Sequence, residues 1–221
     1  MCCKGGIGVA FYLTLNRYEQ TILEYEQRPV EAGRVLLYGS SFFTNWGYDR
    51  SRDQLAAASG GALQVVNHGF GGATVDELLY YYDRMVRPCA PAAAVLRPGL
   101  NDLARGLSAE EVWFQTQRLL AWLKTDDPAI PVVVLSIFDT KRFADDPLAP
   151  AISHYNRLLA EGAGQFSHVS VLDLSPFFHS ADGRLRDVFV EDGLHLTDAA
   201  YEEMAAYLAP KLVSLLDLSP Q

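Results

Sequence analysis

The chain has 221 residues, a formal net charge of −9, and a composition in which 49% of the residues are hydrophobic and 20% are charged. These values are typical of a globular protein with a single domain and a sizeable core, and they exclude an intrinsically disordered chain. The acidic charge, with no Lys/Arg-rich stretch, argues against a nucleic-acid partner. The lack of an apolar run of about 18 residues argues against stable membrane insertion.

The cysteines and the N-terminal residues indicate the compartment. Cys2, Cys3 and Cys89 are an odd number and lack the spacing of a metal site or a disulfide framework, which favours a reducing environment. An apolar run over residues 5–15 has the length of a signal-peptide core, but no Ala-x-Ala-like cleavage site follows it. We therefore expect a cytoplasmic protein, with secretion as the minor alternative.

The first 30 residues are expected to form a partly helical segment that packs on a domain spanning residues 31–218. Apolar positions recur at near-helical spacing over residues 11–26, and Pro29 ends the pattern. Residues 35–38 (VLLY) are typical of a strand buried on both faces, and Gly39 allows a sharp turn after it. Ser41 then follows the carboxyl end of the first strand, the edge at which open α/β sheets bind ligands.

The rest of the chain alternates buried strands with amphipathic helices. Strands are predicted at residues 63–67, 92–96, 132–137 and 169–174, and helices at 49–58, 74–86, 108–124, 152–161 and from 197 onward, with a kink or break at Pro210. The pairs Thr74/Glu77 and Ser108/Glu111 are expected to form capping boxes at two helix starts. The pattern predicts the α/β class: a three-layer α/β/α sandwich with a flavodoxin-like, five-stranded parallel sheet in the order 2-1-3-4-5.

A possible catalytic triad is spread over the two ends of the chain. Asp192 and His195 precede the last helix and are expected at the same rim of the sheet as Ser41. A serine hydroxyl needs a base to take its proton, and that base needs a group that fixes its tautomer. Ser41, His195 and Asp192 have the chemistry for these three roles.

A hydrolase of this kind also needs donors for the oxyanion that forms when the ester carbonyl is attacked. Three candidates are the backbone N–H of Ser41, the backbone N–H of Gly72 and the side-chain amide of Asn101. Gly72 has no side chain to keep a substrate away, and Asn101 donates without carrying a charge. In the predicted strand order, Ser41 and Asn101 face each other across one crevice.

Four segments resemble, in order and spacing, the sequence blocks of the GDSL or SGNH hydrolase family. They are residues 39–41 (GSS), 67–72 (NHGFGG), 99–102 (GLND) and 192–195 (DGLH), and the resemblance extends over residues 35–208. It implies the SGNH hydrolase fold and esterase or acylhydrolase activity without a cofactor. It matches Ser41 to the nucleophile, Gly72 and Asn101 to oxyanion donors, and Asp192 and His195 to the rest of the triad.

The family's Gly-Asp-Ser reads Gly-Ser-Ser in this chain. The missing aspartate is not the triad acid, so we expect catalysis to survive its loss. Ser40 becomes a second candidate nucleophile, although Ser41 is favoured.

Three cations are candidate substrate-binding residues because they lie at or after the carboxyl ends of strands. They are Arg97, Lys141 and Arg142. For Lys141 and Arg142 the alternative is a solvated surface charge. Arg97 ends a buried strand and is expected to need an anionic partner there.

An aromatic cluster follows the predicted nucleophile. Phe42, Phe43 and Trp46 either form an apolar wall for an acyl group or pack beneath the loop.

The leading functional prediction is a serine esterase or acylhydrolase that acts on a small-molecule ester through an acyl-enzyme on Ser41. The alternative is a non-catalytic, flavodoxin-like module that binds a phosphorylated or flavin ligand at the glycine-rich turns. A degenerate hydrolase kept for partner binding is a third option, against which the triad residues argue. No histidine cluster has metal-ligand spacing, so we expect no metal.

Overall fold

The computed structural model describes residues 16–143 and 147–218. In this part of the chain, five strands form one parallel sheet in the order β2-β1-β3-β4-β5, which confirms the predicted topology. The strands are β1 (Val35–Gly39), β2 (Val65–Gly69), β3 (Ala93–Arg97), β4 (Val132–Leu135) and β5 (Val169–Leu172). Because β1 lies between β2 and β3, the reversal of strand order falls directly beside the end of β1.

The described helices cover both faces of the sheet. They are α1 (Glu19–Glu26), α2 (Ser41–Trp46), α3 (Tyr48–Ala58), α4 (Val75–Tyr80), α5 (Tyr82–Met85), α6 (Leu100–Ala104), α7 (Ala109–Asp126), α8 (Ala149–Gly162), α9 (Ser175–Phe178) and α10 (Asp198–Leu215). The capping boxes at Thr74 and Ser108 are both present, as predicted. The first five residues of the helix predicted over residues 11–26 lie outside the described part.

Side chains of β1 alternate between two apolar clusters, one on each face of the sheet. Leu36 and Tyr38 enter the cluster formed with α1 and α4 to α8, whereas Val35 and Leu37 enter the cluster formed with α2, α3, α9 and α10. This alternation follows from the two-residue period of a strand. Ile22 of α1 is fully buried in the first cluster, so α1 packs on the domain.

Two helix predictions need correction. The helix predicted over residues 74–86 is interrupted at Tyr81, which separates α4 from α5. The last helix, α10, runs through Pro210, so the break is excluded and the kink is the alternative that stays a prediction. Pro210 and Ala206 are both exposed, so the carbonyl that loses its hydrogen-bond donor at the proline can be solvated while the inner face stays packed.

The short helix α2 packs unusually closely against the sheet. A Cβ atom on Gly69, at the end of β2, would lie 2.6 Å from Phe43 Cβ and 2.9 Å from Thr44 N. Asn67 strengthens this contact because its Nδ2 donates to Phe43 O over 2.8 Å. The glycine therefore allows α2 to start directly at the carboxyl end of β1.

We predict that Gly69→Ala lowers the free energy of unfolding by about 1–3 kcal/mol, because the added methyl group overpacks the contact with α2. Gly164→Ala is a suitable control, since a Cβ at Gly164 would meet no atom within 4 Å. Urea denaturation monitored by circular dichroism measures both variants. Equal destabilisation of the two would contradict the proposed close contact.

A buried carboxyl group joins the segments that follow β2 and β3. Asp102 Oδ1 accepts a hydrogen bond of 2.9 Å from the backbone N–H of Val75, while Oδ2 has no partner among the described residues. Burial raises the pKa of Asp102 to about 7, from an ordinary value of 3.8. Asp102 thus ties α6, and with it Asn101, to the start of α4.

The raised pKa of Asp102 predicts a specific pH dependence of stability. Since the carboxyl group binds its proton more tightly in the folded chain, its contribution to the free energy of unfolding declines as the pH rises from about 4 to about 7. Relative to an Asp102→Asn variant, the free energy of unfolding of the wild type should fall by up to about 4 kcal/mol over this pH range. Urea denaturation of both proteins at several pH values tests this, and parallel curves would argue against it.

Candidate active site

Ser41 is the first residue of α2 and is half-buried, whereas Ser40 is only 6% exposed. The carbonyl of Ser40 accepts hydrogen bonds from the N–H groups of Phe43 and Thr44, as expected for the residue that precedes a helix. Within the described residues, the N–H and Oγ of Ser41 have no hydrogen-bond partner. These positions favour Ser41 over Ser40 as the nucleophile.

Asp192 and His195 form a tight pair in the turn before α10. The distance from His195 Nδ1 to Asp192 Oδ2 is 2.5 Å, and Asp192 Oδ1 accepts from the N–H groups of Leu194 (2.8 Å) and His195 (2.9 Å). Burial alone would raise the pKa of Asp192, but these hydrogen bonds outweigh it and lower the pKa to about 2. The carboxylate thus stays ionised and fixes the proton on Nδ1.

The turn with His195 and the helix that follows it are each hydrogen-bonded to another part of the chain. The backbone N–H of Arg142 donates to Gly193 O over 3.0 Å. Tyr201, in the first turns of α10, donates to Phe42 O over 2.8 Å and so anchors α10 to the start of α2. These contacts connect the histidine turn to its neighbours at the rim of the sheet.

One link of the predicted triad is not formed in the structure. Among the described residues, neither Ser41 Oγ nor His195 Nε2 has a hydrogen-bond partner. Both atoms are therefore available, and the hydrogen bond between Ser41 and His195 stays a prediction.

The glycine turn after β2 lies next to Ser41. A Cβ atom on Gly71 would be 3.9 Å from the Cα and Cβ atoms of Ser41, and Gly72 adopts a left-handed conformation with φ of +81°. The N–H of Gly72 has no acceptor in the described part of the chain. Asn101 Nδ2 donates to Ala73 O over 2.9 Å, which uses one of its two amide hydrogens. The use of these groups as oxyanion donors remains a prediction.

The two cations of the loop after β4 have different surroundings. Lys141 Nζ lies 2.5 Å from Asp187 Oδ1 in an exposed ion pair. Arg142 lines a cavity of about 560 Å³, and Asn101 and Leu194 line the same cavity. Arg142 is thus better placed than Lys141 to meet a substrate, although binding by either is still a prediction.

Arg97 lies inside the core, and no described residue is the anionic partner that the sequence led us to expect. It is only 4% exposed, and its guanidinium carbon is 4.9 Å from the ring centre of Phe42 and 4.4 Å from that of Phe138. Its Nε and Nη2 atoms have no hydrogen-bond partner among residues 16–143 and 147–218. Burial lowers the pKa of Arg97 to about 10. Aromatic faces replace the expected carboxylate.

The aromatic cluster after Ser41 packs in the core. Phe42, Phe43 and Trp46 are at most 3% exposed, and the Trp46 ring stacks on Tyr201 of α10. This corresponds to the second of the two predicted alternatives, because side chains buried this deeply support α2 and do not form a wall for an acyl group.

Two features near the site were not predicted from the sequence. Asp102 was included in the GLND segment, but nothing in its local pattern indicated that it is buried and bound to the start of α4. Tyr18 lies near the N-terminus, yet its hydroxyl donates to Gly71 O over 2.9 Å. Neither contact has a local sequence signal, because each joins residues far apart in the chain.

No group of three or more His, Cys, Asp or Glu side chains in the described ranges is arranged to hold a metal ion. The helices in those ranges are also too short or too polar to cross a bilayer. Chemically, the candidate residues supply a hydroxyl, an imidazole paired with a carboxylate, and N–H groups, which are the groups needed for acyl transfer.

Solved structures of bacterial proteins share this fold. A GDSL-like lipase from Bacteroides thetaiotaomicron superposes with a TM-score of 0.68 and 18% identity, covering 92% of this chain and 98% of that one. A lipase/acylhydrolase from Enterococcus faecalis superposes with a TM-score of 0.66 and 18% identity, covering 86% of this chain and 98% of that one. A third structure is of a Streptococcus pneumoniae protein whose name connects it with platelet activating factor. It superposes with a TM-score of 0.71 and 20% identity, covering 89% of this chain and 91% of that one. No curated protein matches the chain in sequence.

At these identities the superpositions establish the fold only. Family membership comes from the sequence itself, because residues 37–203 match the model of the GDSL-like lipase/acylhydrolase family. This segment is more than half of the chain and includes Ser41, Asp192 and His195. Of the functions predicted from the sequence, the match supports the enzyme over the flavodoxin-like binding module. The chain is an ester-bond hydrolase of the GDSL-like lipase/acylhydrolase family.

Proposed function

We propose that this hydrolase is a serine esterase or acylhydrolase in which Ser41, His195 and Asp192 act as a catalytic triad. His195 Nε2 takes the proton of Ser41 Oγ as the oxygen attacks the carbonyl carbon of a carboxylic ester. The alcohol leaves with a proton from His195, and the acyl group stays on Ser41. Water, activated by the same imidazole, then releases the acid and regenerates the serine.

The observation that carries this proposal is the Asp192–His195 pair. Its 2.5 Å contact leaves Nε2 as the available imidazole nitrogen, and the pKa of about 2 keeps Asp192 negatively charged when His195 gains a proton. An ionised, hydrogen-bonded carboxylate stabilises the imidazolium without accepting its proton.

The negative charge on the carbonyl oxygen is stabilised, in this proposal, by the N–H groups of Ser41 and Gly72 and by the second amide hydrogen of Asn101. Each N–H is without an acceptor in the described residues, so it can donate without first breaking another hydrogen bond. One such donor is worth a factor of about 10² to 10³ in rate.

The cavity of about 560 Å³ beside Asn101 is the proposed place for one side of the ester. Its wall combines apolar residues, including Leu100 and Phe143, with Arg142. Asn101 is a second polar residue of this wall, and apolar side chains combined with a few polar groups are typical of small-molecule sites. We therefore assign a small-molecule ester as substrate, bound without a metal or an organic cofactor.

Replacing Ser41 by alanine should lower kcat for a short-chain nitrophenyl ester by at least about 10⁴-fold, because it removes the hydroxyl that forms the proposed acyl-enzyme. Mass spectrometry after reaction with a fluorophosphonate should find the label on Ser41 in the wild type and in Ser40→Ala, and no label in Ser41→Ala. A label on Ser40, or an active Ser41→Ala variant, would rule out the proposed nucleophile.

Asp192→Asn should lower kcat at neutral pH by about 10⁴-fold, because an amide at this position favours the wrong imidazole tautomer. Asp182→Asn is a matched control, since Asp182 also lies in a turn and hydrogen bonds lower its pKa to about 2, but it pairs with Arg184. In the wild type, protonation of Asp192 should not reduce the rate until the pH approaches about 2. Steady-state kinetics between pH 4 and 9 compare the three proteins, and equal rates would refute the role of Asp192.

A further inference from the structure

The N-terminal segment is hydrogen-bonded to the glycine turn that lies next to Ser41. Three of its side chains lie outside the family match at residues 37–203, yet each donates to a carbonyl of residues 69–72. The hydrogen bonds run from Tyr25 Oη to Gly69 O (2.6 Å), from Tyr18 Oη to Gly71 O (2.9 Å) and from Arg17 Nη2 to Gly72 O (2.8 Å). The carbonyls of Gly69, Gly71 and Gly72 thus all accept a hydrogen bond from the same short segment.

The hydrogen bond from Tyr18 acts on the peptide unit that contains the proposed oxyanion donor. The carbonyl of Gly71 and the N–H of Gly72 belong to one peptide group, and no peptide bond in the described residues is cis. In a trans peptide the C=O and N–H bonds point in opposite directions. Because Tyr18 binds the carbonyl, the N–H of Gly72 is directed away from Tyr18.

Gly72 is required for this approach. A Cβ atom at Gly72 would lie 3.1 Å from the Tyr18 hydroxyl oxygen, and the φ of +81° disfavours any other residue. The phenol ring is buried, and it packs edge-on against Phe70 with ring centres 4.9 Å apart. The packing of the Tyr18 ring therefore holds its hydroxyl against the turn.

The hydroxyl is also a permanent donor. Burial, and secondarily the negative charge of Glu77, raises the pKa of Tyr18 to about 12, so the phenol keeps its proton at any pH at which an esterase works. A hydrogen bond to a carbonyl polarises the amide and strengthens its N–H as a donor.

We propose that Tyr18 is a positioning residue of the oxyanion hole, which orients and polarises the Gly71–Gly72 peptide through its hydroxyl. The inference rests on the proposed function, because it assumes that the Gly72 N–H stabilises the oxyanion. It assigns a role in the reaction to a segment that the family match does not include.

Tyr25 provides a comparison within the same segment. Its hydroxyl donates to Gly69 O, but the N–H of that peptide, which belongs to Phe70, already donates to Gly39 O over 3.1 Å. Tyr25→Phe therefore removes a phenol hydrogen bond to the same turn, but the N–H of the affected peptide already has an acceptor. If weaker packing of α1 were the cause of a loss of activity, Tyr18→Phe and Tyr25→Phe should lose similar activity.

In the full-length chain, Tyr18→Phe is expected to lower kcat for a nitrophenyl ester about tenfold and to leave KM near the wild-type value, because the oxyanion exists only in the transition state. Its affinity for a boronic acid that forms a tetrahedral adduct on Ser41 should fall by the same factor. Tyr25→Phe should keep both values near those of the wild type. In amide NMR spectra, Tyr18→Phe should shift the ¹⁵N resonance of Gly72 more than that of Phe70.

Equal kinetic losses in Tyr18→Phe and Tyr25→Phe, or an unchanged Gly72 resonance, would overturn the inference while leaving the proposed function in place. A wild-type protein without esterase activity or fluorophosphonate labelling would instead reject the proposed function, and this inference with it. The NMR comparison uses folded protein at low temperature, so it gives an answer even when Tyr18→Phe is less stable than the wild type.

Discussion

Close packing of α2 against the carboxyl ends of β1 and β2 is the constraint on which the site depends. A side chain at Gly39 would come within 2.9 Å of the Arg97 carbonyl, and one at Gly69 within 2.6 Å of Phe43. The two glycines let the helix begin where the strand ends. Ser41 consequently stands at the reversal of strand order, where segments from β2, β3 and the C-terminal turn can all approach it.

The packing behind this arrangement is dominated by aromatic side chains. Phe42 and Trp46 are buried against Tyr201, whose hydroxyl also binds Phe42 O. The helix that follows His195 is in this way attached to the helix that begins with Ser41. Burial of several aromatic rings at one contact gives it the rigidity that a site assembled from distant segments needs.

Incompletely paired polar groups are found near the end of β3. Arg97 has two guanidinium nitrogens without partners, and Asp102 has one carboxyl oxygen without a partner, within the described residues. Unpaired buried groups reduce stability, and natural proteins retain them most often at functional sites. Asp102 follows Asn101 directly in the chain and Arg97 ends the strand that leads to it, which agrees with this tendency.

The sequence by itself determined the sheet, its strand order and the residues of the candidate site. Continuous apolar runs, helical periodicity and capping pairs such as Thr74/Glu77 are local signals, and they sufficed for each strand and for the longer helices. They failed for α2 and α6, because five or six residues are too few to show a helical period. The interruption at Tyr81 also had no local signal.

Only the tertiary structure decided which predicted residues have partners and what those partners are. Lys141 pairs with Asp187, Arg97 lies between aromatic rings, and Tyr18 binds a carbonyl 53 positions along the chain. Hydrogen bonds and ion pairs of this kind depend on the distance between side chains after packing. A strand or a helix is encoded by neighbouring residues, whereas these contacts are set by the way the whole chain folds.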